Sequence, residues 1–136
     1  MRQAAVMLIV CNGFILSVSR RNNPAKFGLP GGKVEENETP QAAAIRETFE
    51  ETGVKVNSCD LIFIRMEPKD SPEGEDFNTH CFYATSWEGT PSNSEEGIVK
   101  FLSYEELISS EMGAFPEYNE LTFDKFNELY PDVFVH

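Results

Sequence analysis

The chain has 136 residues, 23 of them acidic and 11 basic, for a formal charge of −12 at pH 7. That length reads as one domain over residues 1–136, able to bury a core without disulfide or metal staples. So acidic a balance leaves no basic footprint for a nucleic-acid polymer. It does not exclude a small phosphorylated ligand, because a divalent cation between carboxylates and phosphates inverts the local field.

Ala4 to Cys11 is an apolar run behind Arg2. It ends at Asn12-Gly13 without the small-residue cleavage pattern of a signal peptide, then resumes as Phe14-Ile15-Leu16-Ser17-Val18-Ser19. Two β-rich runs around Asn-Gly predict a hairpin over about Gln3 to Arg20. No run reaches the ~20 apolar residues of a membrane span. Arg21 to Ala25 contains Asn-Asn-Pro and reads as a loop. In Lys26 to Gly32, the pair Gly31-Gly32 permits close backbone approaches that other residues do not.

A helix follows, marked at both ends. Thr39 is placed to cap it, Pro40 takes the first helical position, Gln41 to Thr52 are mostly helix formers, and Gly53 suits the position after the end. Val54 to Met66 reads as a strand, Glu67 to Asp76 as an acidic loop, either plainly solvated or bordering a substrate cleft, and Phe77 to Trp87 as another strand. Glu88 to Gly97 is loop, Ile98 to Leu102 a short strand, and Ser103 caps a short helix from Tyr104 to about Ser109. Asn119 or Thr122 opens a last helix with Phe123, Phe126, Leu129 and Tyr130 at helical spacing. The order predicts an α/β or α+β sandwich with helices on a mixed sheet. Cys11, Cys59 and Cys81 are odd in number, form no CxxC pair and sit in apolar or strand-like runs. They read as buried thiols in a reducing, cytoplasmic setting.

With Glu47 at zero on a helical wheel, Glu50 and Glu51 fall at about −60° and +40°. The three carboxylates share one face, and Ala42, Ile45 and Phe49 on the other side are the predicted buried face. Like charges at these spacings destabilise a helix by about 0.2–0.5 kcal/mol per pair, and Glu51 also meets the negative end of the helix dipole. A hard cation such as Mg²⁺ offsets that cost and bridges carboxylates to phosphates. A solvated acidic face is the alternative reading of three glutamates alone.

The segment Gly32-Lys-Val-Glu-Glu-Asn-Glu38-Thr-Pro-Gln-Ala-Ala-Ala-Ile-Arg46-Glu47-Thr-Phe-Glu50-Glu51-Thr-Gly53-Val54 resembles the Nudix box, G-x5-E-x7-R-E-U-x-E-E-x-G-U with U aliphatic. Thr48 departs from the pattern at the first U; it keeps a β-branched shape but adds a hydroxyl, which reads as a packing change. Phe27-Gly-Leu-Pro-Gly-Gly-Lys33 is similar to the family as well. The resemblance covers about Val6 to Leu107 in element order and is sharp from Phe27 to Val54. It implies the Nudix α/β/α sandwich, a mixed β-sheet flanked by helices. It implies that Glu47, Glu50 and Glu51 are catalytic and hold Mg²⁺, or Mn²⁺ in its place, with the Gly31 carbonyl as a further ligand. Water would then attack a phosphorus of a nucleoside diphosphate derivative. Gly32, Glu38, Arg46 and Gly53 are implied to be structural, with Glu38 and Arg46 as an ion pair clamping loop to helix.

A general base is also needed near the attacking water, and Glu47 or Glu50 on the helix could serve. In relatives a loop glutamate outside the box often binds metal or acts as base; Glu96, then Glu95, are the candidates here, against a solvated loop charge. Arg20 and Arg21 at a strand end are similar to family positions that face the phosphates, with a solvated strand end as the alternative, and Lys33 after the double glycine is a candidate phosphate ligand. Phe27 and Trp87 read as packing residues, with Phe27 also able to line a base pocket, and His80 reads as structural. Pro116-Glu-Tyr-Asn119-Glu120 is similar to a segment of MutT-type enzymes in which an asparagine reads the base edge; Asn119 is equally an ordinary N-cap. The expected function is Mg²⁺-dependent hydrolysis of a phosphoanhydride bond in a small-molecule nucleotide, MutT-like, on a nucleoside triphosphate or modified nucleotide. Nucleotide sugars, ADP-ribose and dinucleoside polyphosphates are alternative substrates, and a nucleotide sensor without turnover is the alternative of another class. Neither a nucleic-acid polymer nor a membrane is an expected partner; many relatives dimerise, which leaves a homodimer open.

Overall fold

The computed structural model describes residues 2–67 and 77–133, so the expected acidic loop after Glu67 lies outside the described residues. Eight strands and three helices follow in chain order: β1 (Arg2–Leu8), β2 (Val10–Cys11), β3 (Phe14–Arg20), β4 (Asn23–Gly28), β5 (Gly31–Lys33), α1 (Pro40–Thr52), β6 (Lys55–Glu67), β7 (Phe77–Glu88), β8 (Val99–Leu102), α2 (Tyr104–Ile108) and α3 (Pro116–Leu129). One sheet has the order β5-β1-β7-β6 and is mixed, because β1 and β7 run parallel while the other pairs are antiparallel. The second sheet is antiparallel, with β3 pairing with β2, β4 and β8. The architecture is α/β, with helices on a mixed sheet, as the order of elements predicts.

Asn12 and Gly13 have φ of 53° and 82°, the double positive φ of a type I′ hairpin turn. The hairpin is shorter than expected. Val10 and Cys11 pair across it with Ile15 and Phe14, and Ile9 O accepts from the Leu16 amide at 2.9 Å, while β1 leaves for the mixed sheet. The cause is burial on both faces: Ala5, Met7 and Ile9 enter one core cluster and Leu8 the other. A run that is apolar on both faces belongs between two layers, not at an edge. The loop expected over Arg21 to Ala25 is also corrected. Arg20 pairs with Asn23 after a register shift, so the turn shrinks to Arg21-Asn22 and β4 starts within the turn-like residues.

Helix α1 is capped at both ends by the residues that flank it. Thr39 Oγ1 accepts from the Ala42 amide at 3.1 Å, and Gly53, at φ 80°, returns its N–H to Phe49 O at 2.9 Å. The face it buries is not the predicted one. Ala43, Ala44, Thr48 and Thr52 are buried, Ala42 is exposed, Ile45 is half-buried and Phe49 is 55% exposed. Small side chains let the helix sit close to the sheet, and on the wheel Ala44 and Thr48 stand at about +60° and +100°, beside Glu51 and not opposite it. The carboxylates therefore border the buried face.

The first core cluster lies between α1 and the mixed sheet and includes Met7, Leu16, Val54 and Phe82. The second joins Leu8, Ile15 and Cys81 to Leu107 of α2 and to Phe123 and Phe126 of α3. Helix α2 carries a capping box: Ser103 Oγ accepts from the Glu106 amide at 3.1 Å, and the Ser103 amide donates to Glu106 Oε1 at 2.9 Å. Helix α3 begins at Pro116, so neither Asn119 nor Thr122 opens it; the residue before it, Phe115, makes no side-chain cap. Cys81 is buried, whereas Cys11 and Cys59 are only half-buried, and all three are free. No helix among the described residues is long and apolar enough to cross a membrane.

Thr48 is fully buried, and its Oγ1 has no hydrogen-bond partner. An unmet buried hydroxyl costs about 1–3 kcal/mol. Thr48→Val keeps the shape and removes the hydroxyl, so the urea midpoint is expected to rise by the equivalent of about 1 kcal/mol. A lower midpoint would show that the hydroxyl is bonded in solution.

Candidate active site

The site begins with two glycines that let three elements touch. A Cβ on Gly31 would stand 2.2 Å from Ala5 O and 2.7 Å from Val6 Cα, so β5 can lie on β1 only without a side chain there. A Cβ on Gly32 would stand 2.6 Å from Glu47 Cδ, so that carboxyl rests on bare backbone. The Gly31 amide donates to Glu51 Oε1 at 2.7 Å and ties β5 to the last turn of α1.

Arg46 organises the outer half. Its Nε and Nη2 donate to the two oxygens of Glu38 at 2.7 and 3.0 Å, a bidentate fork. Its Nη1 reaches Glu47 at 3.0 Å and Glu50 at 3.3 Å, and Nη2 also meets Lys33 O at 3.3 Å. The Arg46 guanidinium and the Glu35 amide together hold the Glu38 carboxyl down at about 2.

Glu51 lies outside that network. Burial pushes its carboxyl up to about 8; the Gly31 N–H and Arg20 oppose the shift, while the charges of Glu47 and Glu96 add to it. Burial also raises Glu47, against the pull of Arg46. The Glu47 side chain is 19% exposed and that of Glu50 is 49% exposed. Glu50 is the more exposed of these two but also meets Arg46, so a fully solvated acidic face describes none of the three glutamates.

Among the described residues, no three carboxylate, histidine or cysteine side chains are gathered as a group that could hold a metal ion. The directions of the side chains explain this: Glu47 and Glu50 turn to Arg46, and Glu51 turns to the Gly31 amide. The donor chemistry nonetheless fits a hard divalent cation. The donors are all oxygen, and the raised Glu51 carboxyl marks an unmet demand for positive charge.

Around this cluster the other candidates divide. Arg20 ends β3, with its Cζ 4.8 Å above the Phe115 ring, and its charge acts on Glu51. Glu96 has Oε1 3.0 Å from Arg21 Nη2, and its charge acts on both Glu47 and Glu51. Lys33 and Glu95 are exposed. Phe27 is 3% exposed in the second core, with Lys100 Nζ 5.5 Å from its ring. Asn119 is 1% exposed inside α3, and its Nδ2 donates to Leu107 O at 2.9 Å. Trp87 packs against the first core, and the buried His80 Nδ1 has no hydrogen-bond partner among the described residues. Sequence reasoning missed Ser94, which bridges Glu51 O and the Glu96 amide. A serine in a polar loop carries no signal of that kind.

The raised Glu51 carboxyl makes stability depend on pH. A group that binds its proton more tightly when folded stabilises the fold fully below its unfolded value, near 4.5, and that contribution is lost as pH rises through about 8. In chelator, wild-type protein is expected to lose a few kcal/mol across that window, and Glu51→Gln is expected to flatten the slope. Urea denaturation at several pH values measures it; an equal slope in the variant would assign the effect elsewhere.

Residues 1–123 match the family model described as NUDIX domain. The chain is 30% identical over 131 residues to the 8-oxo-dGTP diphosphatase of Escherichia coli (strain K12), covering 93% of this chain and 97% of that protein. It is 44% identical over 62 residues to the ADP-ribose pyrophosphatase of Methanocaldococcus jannaschii, covering 44% of this chain and 37% of that protein, so it spans little more than a third of that relative. A MutT NUDIX hydrolase crystal structure from Burkholderia pseudomallei superposes with a TM-score of 0.74 at 23% identity, covering 91% of this chain and 96% of that one, a likeness of fold. By its glutamate-bearing helix and loop and by the extent of these matches, the chain belongs to the NUDIX domain family.

Proposed function

We propose that the chain is a hydrolase of a phosphoanhydride bond in a small nucleoside diphosphate derivative and works with Mg²⁺, or with Mn²⁺ in its place. The observation that carries this is Glu51: a half-buried carboxyl with a raised proton affinity, anchored on the Gly31 amide and flanked by the charges of Glu47 and Glu96. Glu47, Glu50 and Glu51, with the Gly31 carbonyl, would hold the metal. When bound, the metal supplies Lewis acidity and lowers the pKa of bound water.

The chain's own groups do the rest. Arg20 and Lys33 bind phosphate oxygens as cations. Glu96 stands outside the Arg46 network and would complete the metal's ligands or take a proton from the attacking water, a role that Glu47 or Glu50 on the helix could also serve. Phe27 and Asn119 are held by interior contacts, and from there they would support a base pocket rather than contact the base edge directly. Gly32, Gly53, Glu38 and Arg46 keep loop and helix in place.

The likeness over nearly the whole of the E. coli 8-oxo-dGTP diphosphatase favours a nucleoside triphosphate or modified nucleotide, cut to a monophosphate and pyrophosphate. A nucleotide sugar, ADP-ribose or dinucleoside polyphosphate is the second reading; it rests on the ADP-ribose pyrophosphatase match, which covers less than half of this chain. Three free cysteines suit a cytoplasmic setting.

The test is a hydrolysis screen over nucleoside di- and triphosphates with and without Mg²⁺, with Glu51→Gln as control. Metal-dependent turnover is expected, lost by orders of magnitude in the variant while its circular dichroism stays native. Pyrophosphate among the products supports the first substrate reading, and two phosphorylated organic products support the second. Nucleotide binding with no turnover across the panel would make the chain a sensor.

A further inference from the structure

Helix α1 ends at Thr52, and its last carbonyls have no partners within the helix. Its last turn carries no basic residue to meet them. The loop at residues 92–97 supplies donors instead. The Ser92 amide donates to Thr52 O at 2.9 Å, and Ser94 Oγ donates to Glu51 O at 3.0 Å. The same Ser94 Oγ accepts from the Glu96 amide at 3.0 Å. One hydroxyl thus joins the backbone of Glu51 to the backbone of Glu96.

The loop is held on its other side by β3. Ser94 and Gly97 exchange backbone hydrogen bonds at 3.1 and 3.2 Å. A Cβ on Gly97 would lie 2.8 Å from Ser19 O, and Ser19 Oγ accepts from the Ile98 amide at 2.9 Å. Among the described residues the Glu96 carboxylate is bound by Arg21, at 3.0 Å, and the Arg21 side chain is 71% exposed. An exposed pair of that kind is worth about 0–1 kcal/mol and is screened by salt. It gives way easily, whereas the position of the Glu96 backbone does not depend on it.

We propose that Ser94 is a positioning residue whose hydroxyl pins the Glu96 loop to the end of α1 and so presents the Glu96 carboxylate to the Glu47–Glu51 cluster. This rests on the reading of Glu96 as part of the site. Ser94 is exposed and touches no reacting group; it acts through Glu96. Threonine at this position keeps the hydroxyl, and alanine removes both of its hydrogen bonds.

The test compares Ser94→Ala, Ser94→Thr, Glu96→Gln and the double variant Ser94→Ala/Glu96→Gln in the full chain. Mn²⁺ alone is titrated calorimetrically, and kcat and KM are measured separately. Ser94→Ala is expected to weaken Mn²⁺ binding and lower kcat, each about tenfold, in the range for a group that orients a metal-site residue, while KM moves less than about twofold. Ser94→Thr restores most of both. In the Glu96→Gln background, Ser94→Ala is expected to add nothing, the signature of two residues acting as one unit. The proposal is overturned if the two substitutions add independently, or if the threonine variant is as impaired as the alanine variant. An impaired Glu96→Gln beside a silent Ser94→Ala overturns the role of Ser94 alone. A silent Glu96→Gln overturns the assignment of Glu96 and this proposal with it.

Discussion

The hydrogen bond from the Gly31 amide to the Glu51 carboxylate, 2.7 Å long, joins the sheet to the carboxylate helix at the point where both are crowded. It exists because residues 31 and 32 have no side chains: one would collide with β1 and the other with Glu47. Once β5 and α1 are held so close, α1 has room beneath it only for Ala43, Ala44, Thr48 and Thr52. The small-residue face and the double glycine are two sides of one packing requirement. Glu51 cannot leave this contact without exposing it, so burial and function meet in the same side chain.

Charge within the site is unevenly shared. Arg46 serves Glu38, Glu47 and Glu50 at once, whereas among the described residues Glu51 receives the Gly31 N–H and the charge of Arg20. A desolvated carboxylate without a close cation binds its proton more tightly. The Arg46 fork fixes the outer carboxylates against the loop, and Glu51 is left as the group with most to gain from a cation.

Much of this was legible in the residues. The Asn12-Gly13 turn, both ends of α1, the Ser103 cap and the mixed α/β order all follow from local chemistry, since each involves groups within a few positions of one another. The spacing of Glu47, Glu50 and Glu51 put them on one side of a helix. What stayed hidden depended on partners far along the chain. Phe49 reads as core by its type but faces solvent, because the sheet needs small side chains beneath the helix. Asn119 reads as a cap but is buried within α3, donating to Leu107, because Pro116 starts that helix earlier.

The sequence alone determined the motif, its register from Gly32 to Val54, the elements that carry it and the acidic character of the site. These rest on interactions of short range, where residue type and spacing suffice. Only the tertiary structure decided which carboxylate is desolvated, where Arg46 spends its donors, and that a loop more than forty residues beyond α1 returns through Ser94 to its C-terminal carbonyls. Burial and long-range hydrogen bonds depend on how layers pack, and no local pattern encodes which face of a helix a sheet will cover or which loop will reach its end.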